Sequence, residues 1–329
     1  MSERTSVDWR AGVINACVLA GVVVGLFAFN YVIDPFALNR RVDVGLEKEP
    51  VAFDLSNYSW KYPEYQHDPR PVVVFGDSRA RRLRAAVFEE STGLPAYNFA
   101  FGGATGGDVI ETFWFAAKQG KLERAYIGLG ALLLNDGIAV ERGRSDRELL
   151  ESPLRYYFSP AITSAAVRVL LWNVLGIAGP GETPPMEPAA FWTYQLSVPP
   201  RQYYGGFVYP ERLLARLARV ADYCDEHDIE LLFFMPPTHV DLQAKRQEFG
   251  IEEDYQKALA ALRRIGTVYD WDYPNSVTAD SGLFTDPFHP DDAVADRVAA
   301  ELALGAVNAA SDFGRKSGLG VVAPSGEEE

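Results

Sequence analysis

The stretch PVVVFGDSRARRLR, residues 71–84, carries the clearest architectural signal in the sequence. Four consecutive apolar residues, 72–75, run directly into Gly76-Asp77-Ser78, and a segment rich in arginine follows. A short, continuous apolar run that ends at a turn is typical of a strand in a parallel sheet covered on both faces. Glycine permits the tight turn, so we predict that Ser78 begins a helix above the carboxyl edge of this sheet, where open α/β sheets bind ligands.

Four further apolar runs repeat this pattern along the chain, at residues 96–100, 125–129, 231–235 and 268–271. The segments between them carry apolar residues at helical spacing, as in the stripe formed by Leu213, Leu217, Val220 and Cys224. Alternation of such strands and amphipathic helices indicates an α/β domain with a parallel sheet of about five strands. We place this domain at residues 71–310.

One segment, at about 140–208, interrupts the alternation of strands and helices. Its first part predicts two helices, residues 176–190 are rich in glycine and proline, and aromatic side chains follow. We interpret it as a helical and loop insertion. It is either a lid over the carboxyl edge of the sheet or a decoration with a small core of its own.

The N-terminal residues 1–33 predict a transmembrane helix, because residues 11–33 contain no charged side chain and about 20 apolar residues suffice to cross a bilayer. A buried core helix and a cleaved signal peptide are the alternatives. The apolar run is longer than a usual signal peptide core, and no small-x-small cleavage site follows it. Arginines flank the segment equally, so charge does not orient it. A short N-terminus before a large domain is compatible with a single-pass signal-anchor whose domain is periplasmic or otherwise extracytoplasmic.

Composition indicates the nature of the remaining segments and excludes some classes of ligand. Residues 34–70, rich in Pro, Tyr and Asp, predict a connector, and residues 311–329 predict a disordered tail. The formal net charge of -14 argues against nucleic-acid binding, which needs a basic face. The 4 histidines and 2 cysteines form no cluster with zinc spacing, so we predict neither a metal nor a cofactor.

Two short motifs at opposite ends of the α/β domain carry the predicted chemistry. Ser78 is a candidate nucleophile, although a serine at this position is also a common helix N-cap. A nucleophilic serine needs a base, and the base needs an acceptor that orients it. Asp286 and His289 lie three positions apart in DPFHPDD, a spacing that lets the carboxylate reach the imidazole. The alternative interpretation of DPFHPDD is a proline-rich turn with an incidental histidine.

Together these motifs resemble the SGNH (GDSL-type) hydrolase superfamily. The resemblance rests on Gly76-Asp77-Ser78 after the first strand, glycines after the second, Asn135 after the third and Asp286-x-x-His289 before the last helix, and it covers roughly residues 72–304. It implies a flavodoxin-like three-layer α/β/α sandwich. It also implies that Ser78 is the nucleophile, His289 the base and Asp286 the acid that orients the base.

The resemblance further implies three donors for an oxyanion hole: the Ser78 amide, the amide of Gly102 or Gly103, and the Asn135 side chain. Glycines let backbone N–H groups approach a tetrahedral oxyanion, and one such donor lowers the barrier by about 3–4 kcal/mol. The chain departs from the family at the third block, where Leu133 replaces the glycine of Gly-x-Asn-Asp.

Two further side chains are predicted to contact substrate. Arg79 directly follows the candidate nucleophile and is a candidate for binding an anionic group. His239 follows the fourth predicted strand, so we expect it at the same sheet edge, as a rival base, behind the base, or against the substrate.

Two classes of function remain open. The first is a serine-dependent acyl-ester hydrolase or O-acyltransferase that handles an acetyl-type group on an envelope glycan. Membrane-anchored proteins of similar layout resemble those that work beside membrane-bound O-acyltransferases, which implies such a partner and a carbohydrate or other acylated substrate. The second is a non-catalytic scaffold or glycan-binding module of the same fold.

Overall fold

The computed structural model describes residues 9–138, 141, 143–177, 179–181, 186–308 and 310–318. The chain divides into two compact units. Residues 1–64 and 145–183 form the N-terminal unit, and residues 65–144 and 184–329 form the sheet unit. The predicted insertion at about 140–208 is therefore divided between them, because residues 145–183 belong to the N-terminal unit and the residues on either side of them to the sheet unit.

The sheet unit is built on a six-stranded sheet of order β2-β1-β3-β4-β5-β8, with a separate two-stranded ribbon of β6 and β7. The first five strands of the sheet are parallel and β8 is antiparallel to β5. The strands are β1 (Val72–Phe75), β2 (Ala96–Asn98), β3 (Arg124–Gly128), β4 (Glu230–Met235), β5 (Thr267–Asp270), β6 (Phe284–Asp286), β7 (His289–Pro290) and β8 (Arg315–Ser317). The order 2-1-3-4-5 of the parallel strands is flavodoxin-like, which confirms the predicted fold class.

The helices follow the predicted alternation in the sheet unit and form most of the N-terminal unit. They are α1 (Trp9–Ile33), α2 (Glu49–Leu55), α3 (Asn57–His67), α4 (Ser78–Arg81), α5 (Ala85–Thr92), α6 (Gly106–Lys118), α7 (Arg144–Leu150), α8 (Pro153–Tyr157), α9 (Pro160–Leu175), α10 (Pro188–Tyr203), α11 (Glu211–Glu226), α12 (Val240–Glu248), α13 (Glu252–Ile265) and α14 (Asp292–Ala303). A 3-10 turn, Ser281–Leu283, precedes β6.

Helices cover both faces of the sheet and make it a three-layer sandwich. On one face α5 and α14 pack over the even-numbered residues of β1, and the core there includes Val72, Val74, Phe88 and Val298. On the other face α6 packs against β1, with the ring of Phe75 centred 5.8 Å from that of Phe113, while α11 and α13 cover β4 and β5. Burial on both faces explains why every residue of β1 is apolar.

The strand order reverses at β1, which lies between β2 and β3. Such a reversal opens a crevice at the carboxyl ends of the strands. The chain leaves β1 through Gly76, whose φ of 149° is readily adopted by glycine and rarely by other residues. A Cβ placed on Gly76 would lie 2.5 Å from the Cβ of Ala80, so the turn into α4 also requires a residue without a side chain at this position. These two constraints place Ser78 at the mouth of the crevice.

The N-terminal unit contains α1, which has 25 residues and a mean hydropathy of 2.3 over its most apolar part. Within the described part of the chain, α1 is the one helix whose length and composition suit a membrane crossing. Its last turns are packed: the buried Asn30 donates hydrogen bonds to the Tyr157 carbonyl and the Thr163 hydroxyl, at 2.8 and 2.9 Å. Ile33 joins Ala166 and Val169 in a small core.

Two segment predictions need correction. The connector at 34–70 holds both α2 and α3 and is more regular than its composition predicts. The tail predicted to be disordered from residue 311 begins with ordered structure, because Phe313 is fully buried and β8 extends the sheet beside β5. The rest of the predicted tail, 319–329, lies outside the described residues.

Candidate active site

Ser78 is the first residue of α4 and does not cap it. The N-cap is Asp77, whose Oδ1 accepts a hydrogen bond from the Arg79 amide at 3.0 Å. The alternative that Ser78 serves as the N-cap is therefore removed, and the hydroxyl is available to other partners. Its backbone amide lies at the N-terminus of a helical turn, an environment that favours negative charge.

The Ser78 hydroxyl is hydrogen-bonded to His289, and His289 is hydrogen-bonded to Asp286. Ser78 Oγ lies 2.8 Å from His289 Nε2, and His289 Nδ1 lies 2.8 Å from Asp286 Oδ2. An ionised carboxylate only accepts hydrogen bonds, so it holds the proton of the neutral imidazole on Nδ1 and leaves Nε2 as the acceptor for the serine proton. This is the arrangement that a serine nucleophile, a base and an orienting acid require.

The β6–β7 ribbon fixes the histidine relative to the acid. Asp286 and His289 are paired across this ribbon, and the second carboxylate oxygen, Oδ1, accepts from the Phe288 amide at 2.8 Å. Asp286 is buried while the His289 ring is partly open to solvent. Both oxygens of the acid are thus engaged, which leaves it little rotational freedom.

A cavity of about 210 Å³ opens beside the Ser78 hydroxyl. Its walls are mainly apolar and include Leu132, Leu133, Ile138, Pro199 and Phe288. Helix α10, the last part of the predicted insertion, contributes Gln195, Pro199 and Tyr203 to one wall. This part of the insertion therefore lies beside the candidate nucleophile.

The two candidate glycines occupy different positions relative to this cavity. Gly103 lines it and has φ of 73°, a conformation that side-chain-bearing residues rarely adopt. Gly102 is not among the lining residues. The structure therefore brings Gly103, and not Gly102, to the space in front of Ser78.

Asn135 does not lie at this cavity, in contrast to the expectation from the resemblance. Its side chain is buried, and its Nδ2 donates to the Tyr203 carbonyl at 2.8 Å. Its Oδ1 accepts from the amides of Gly137 and Val208 at 2.8 and 2.9 Å. Asn135 lines a neighbouring cavity of about 160 Å³ instead. Its observed contacts join the loop after β3 to the end of α10 and to the loop that follows α10.

Arg79 lines the cavity, but its charge is already balanced. The residue is 3% exposed, and its guanidinium Nη2 donates to Asp77 Oδ2 at 2.7 Å while Nε lies 3.1 Å from the same oxygen. Burial by itself raises the pKa of the Asp77 carboxyl, but the charge and hydrogen bonds of Arg79 outweigh it and lower that pKa. An anionic substrate group would therefore have to compete with Asp77 for this cation.

His239 lies behind the ribbon that carries His289. It is 5% exposed and is the N-cap of α12, where its Nδ1 accepts from the Asp241 amide at 3.2 Å. Its own amide donates to the Pro287 carbonyl at 2.9 Å, and its ring packs edge-on against Trp192 and Phe284. The residue is not among those that line the cavity, so its contacts support the loop before His289 and do not make it a rival base.

Two contributions to the site were not predicted from the sequence. Asp77 acts both as the cap of α4 and as the partner of Arg79, and the Asp-x-Arg spacing around Ser78 was the available signal for it. Tyr203 completes the cavity wall and receives the Asn135 hydrogen bond. No local pattern reports that contact, because its partners are 68 positions apart.

No family model and no curated protein matches the sequence. Among solved structures, the chain is similar to a protein from Desulfitobacterium hafniense that is assigned to the G-D-S-L family of lipolytic proteins. The two share 15% sequence identity over 72% of this chain and 98% of that chain, with a TM-score of 0.35. A likeness this distant carries no argument about activity, so the function is inferred from the geometry around Ser78.

Proposed function

We propose that the chain is an SGNH-type serine enzyme that cleaves acyl esters through a covalent acyl-serine intermediate at Ser78. The observation that carries this proposal is the continuous hydrogen-bonded series from Ser78 Oγ through His289 to Asp286, with 2.8 Å at each step. The motif order and the position of Ser78 at the strand-order reversal support the same assignment.

In the proposed reaction, Ser78 Oγ attacks the ester carbonyl carbon while its proton moves to His289 Nε2. Asp286 stabilises the imidazolium that forms. The carbonyl oxygen becomes an oxyanion, which the backbone amides of Ser78 and Gly103 are proposed to meet. The C–O bond then breaks, His289 returns the proton to the leaving alcohol, and the acyl group remains on Ser78.

The acyl-serine can be resolved in two ways, which share every residue named above. Water attacks it in hydrolysis, and a sugar hydroxyl attacks it in transfer; in both cases His289 removes the proton from the nucleophile and passes it to Ser78 Oγ. Helix α10 forms one wall of the cavity, and exclusion of water by this wall would favour transfer. An acylated carbohydrate released from a mixture of acetyl ester and oligosaccharide, detected by mass spectrometry, would separate transfer from hydrolysis.

We propose that the acyl group of the substrate is short, such as acetyl. The cavity of about 210 Å³ is smaller than common ligand clefts, which measure about 300–1,000 Å³. Its apolar walls suit a methyl or short alkyl group, and its volume does not suit a long lipid chain. We propose an envelope glycan as the other half of the substrate, supported by the resemblance to membrane-anchored acylation proteins.

We further propose that α1 anchors the chain in a membrane with the sheet unit on the extracytoplasmic side. A membrane-bound O-acyltransferase is the proposed partner and source of the acyl group. The length and hydropathy of α1 support the anchor. The layout, an anchor followed by an SGNH-like domain, supports the partner.

Labelling with a fluorophosphonate tests the central step, because this probe reacts only with an activated serine. Wild type should be labelled, and Ser78→Ala and His289→Ala should not. His227→Ala is the matched control, since His227 is exposed and stacks on Tyr223 at a helix end. Unlabelled wild type, or labelling that persists in Ser78→Ala, would contradict the proposal.

The alternative is a non-catalytic scaffold or glycan-binding module of the same fold. The engagement of Asn135 away from the cavity favours it, because the site then has one side-chain donor fewer than its relatives in the superfamily are expected to have. The same experiment separates the two functions. If the protein is a scaffold, wild type and Ser78→Ala should bind oligosaccharide equally well, and the fluorophosphonate should label neither of them.

A further inference from the structure

Helix α1 continues without interruption from its apolar, unburied part into the packed N-terminal unit. An 18-residue stretch of it is wholly unburied, and at 1.5 Å per residue this stretch is about 27 Å long. The hydrocarbon core of a bilayer is about 30 Å thick. The turns around Asn30 and Ile33, by contrast, are buried in the unit. If the unburied stretch crosses a bilayer, the packed turns must lie close to the bilayer surface.

An aromatic cluster marks this level of the helix. Phe27 and Tyr31 of α1 pack against Tyr157 and Phe158 at the end of α8, with ring centroids 5.3 Å apart for Phe27–Tyr157 and Tyr31–Tyr157 and 5.4 Å for Phe27–Phe158. Tyrosine and tryptophan are enriched at the interface between the hydrocarbon core and the headgroups, and two of the four rings in the cluster are tyrosines. The cluster is thus placed where a bilayer interface would be.

The surface next to this cluster is apolar and flanked by cations. Leu154 is 69% exposed and Phe158 is 40% exposed. Arg155 lies between them in the chain, and Arg40 and Arg41 follow α1; all three are exposed. The nearest acidic residue after α1, Asp34, is buried and accepts from the amides of Leu38 and Asn39.

We propose that this surface, formed by Leu154, Phe158, Arg40, Arg41 and Arg155 and here called the collar, rests in the interface of the bilayer that α1 crosses. The occupant is phospholipid: the apolar side chains enter the region below the headgroups, and the arginines bind headgroup phosphates. The proposal of the collar depends on the proposed anchoring of α1 and does not depend on the chemistry at Ser78.

Site-specific probes on the full chain, reconstituted into phosphatidylcholine–phosphatidylglycerol vesicles, test the collar. Leu154→Cys in a Cys17→Ser background carries a nitrobenzoxadiazole probe in the collar. Val174→Cys in the same background is the matched control, because Val174 is 66% exposed on α9 of the same unit. The neighbouring Asn173 bonds to Glu47, well beyond the end of α1. Cys224 is buried, which raises the pKa of its thiol and protects it from labelling.

Native Cys17, exposed within the apolar stretch of α1, serves as the probe of the anchor itself. We expect the Leu154→Cys probe to shift to the blue and to be quenched by nitroxides placed near the headgroups, while the Val174→Cys probe keeps the emission it has in water. If the Cys17 probe is quenched by deep nitroxides but the Leu154→Cys probe behaves like the Val174→Cys probe, the anchor is supported and the collar is overturned. A Cys17 probe without deep quenching would overturn both.

A blue-shifted Leu154→Cys probe that no lipid nitroxide quenches would also overturn the proposal, because it would place protein against the collar. Charge provides a second readout. Replacement of Arg40, Arg41 and Arg155 by glutamine should weaken the headgroup quenching of the Leu154→Cys probe in anionic vesicles, and it should leave labelling of Ser78 unchanged. Unchanged quenching in this triple variant would refute the phosphate contacts.

Discussion

Asp286→Asn is the substitution for which the site makes the sharpest prediction. In wild type, Oδ1 of the acid accepts from the Phe288 amide and Oδ2 accepts from His289 Nδ1, each at 2.8 Å. Asparagine has only one oxygen for these two donors. If the oxygen faces Phe288, the new NH₂ faces Nδ1 and forces the proton of the imidazole onto Nε2. If the amide is turned over, the NH₂ opposes the Phe288 N–H.

The first orientation is favoured because it pairs each donor with an acceptor, and it disables the base. The second orientation would keep the proton on Nδ1, but it opposes two donors at Phe288. With a proton on Nε2, His289 cannot accept the Ser78 proton. Loss of the correct tautomer in a serine–histidine–acid site costs about 10⁴-fold in rate, or about 5.5 kcal/mol at 1.36 kcal/mol per tenfold. The rate constant for fluorophosphonate labelling of detergent-solubilised full-length protein measures this loss.

Asp291→Asn is the matched control for this substitution. Asp291 lies in the same loop and accepts from the Val294 amide at 2.8 Å as the N-cap of α14. Asparagine caps a helix as well as aspartate does, so the labelling rate should be unchanged. An Asp286→Asn variant that keeps more than a tenth of the wild-type rate would refute the assigned role of the acid.

Three further predictions concern the supports of the site. Gly76→Ala should destabilise the protein by about 1–3 kcal/mol, because φ is 149° and the new Cβ would lie 2.5 Å from that of Ala80; a thermal melt like that of wild type would count against this. Asp77→Asn leaves Arg79 buried without a counter-charge and should cost about 3–5 kcal/mol in urea unfolding, most of it recovered in Asp77→Asn/Arg79→Met; no recovery would mean that the ion pair is not the cause. Because the pKa of folded Asp77 is lowered, its contribution to stability is present above the ordinary carboxyl pKa of about 4 and is lost as the pH falls through the lower folded value. Burial raises the pKa of the Cys224 thiol to about 12, so a disulfide reagent at pH 8 should modify it only after unfolding, and rapid reaction of the folded protein would be inconsistent with its burial.

The parallel strands could be predicted from the sequence because their signals are local. The Ser78–His289–Asp286 series could be predicted because its two short motifs resemble those of SGNH hydrolases. Each strand buried on both faces is a continuous apolar run, and Asp286 and His289 are only three positions apart. The position of Asn135 could not be predicted in this way. Its partners Tyr203 and Val208 are 68 and 73 positions away, so its side chain is oriented by tertiary contacts that no periodicity reports.

The edge strand β8 escaped prediction for a related reason. Its residues Arg315–Ser317 have no apolar run, and they join the sheet through backbone pairing with β5 and through the Arg315–Asp270 ion pair. The large apolar side chain of Phe313, a few positions earlier, was a sequence-level hint of order in the tail, and it is fully buried. Most residues around Phe313 are polar or small, so the composition of the segment predicts disorder.

The two halves of the candidate nucleophile–base pair are separated by 211 positions in the chain. During synthesis, Ser78 leaves the ribosome long before His289, and the ribbon that presents the histidine is among the last parts of the sheet unit to be made. Under the proposed mechanism, a nascent or truncated chain carries an unreactive serine, and reactivity begins only when the whole sheet unit has folded. With the proposed anchor and an extracytoplasmic sheet unit, this delay would confine the reactive serine to the compartment in which folding is completed.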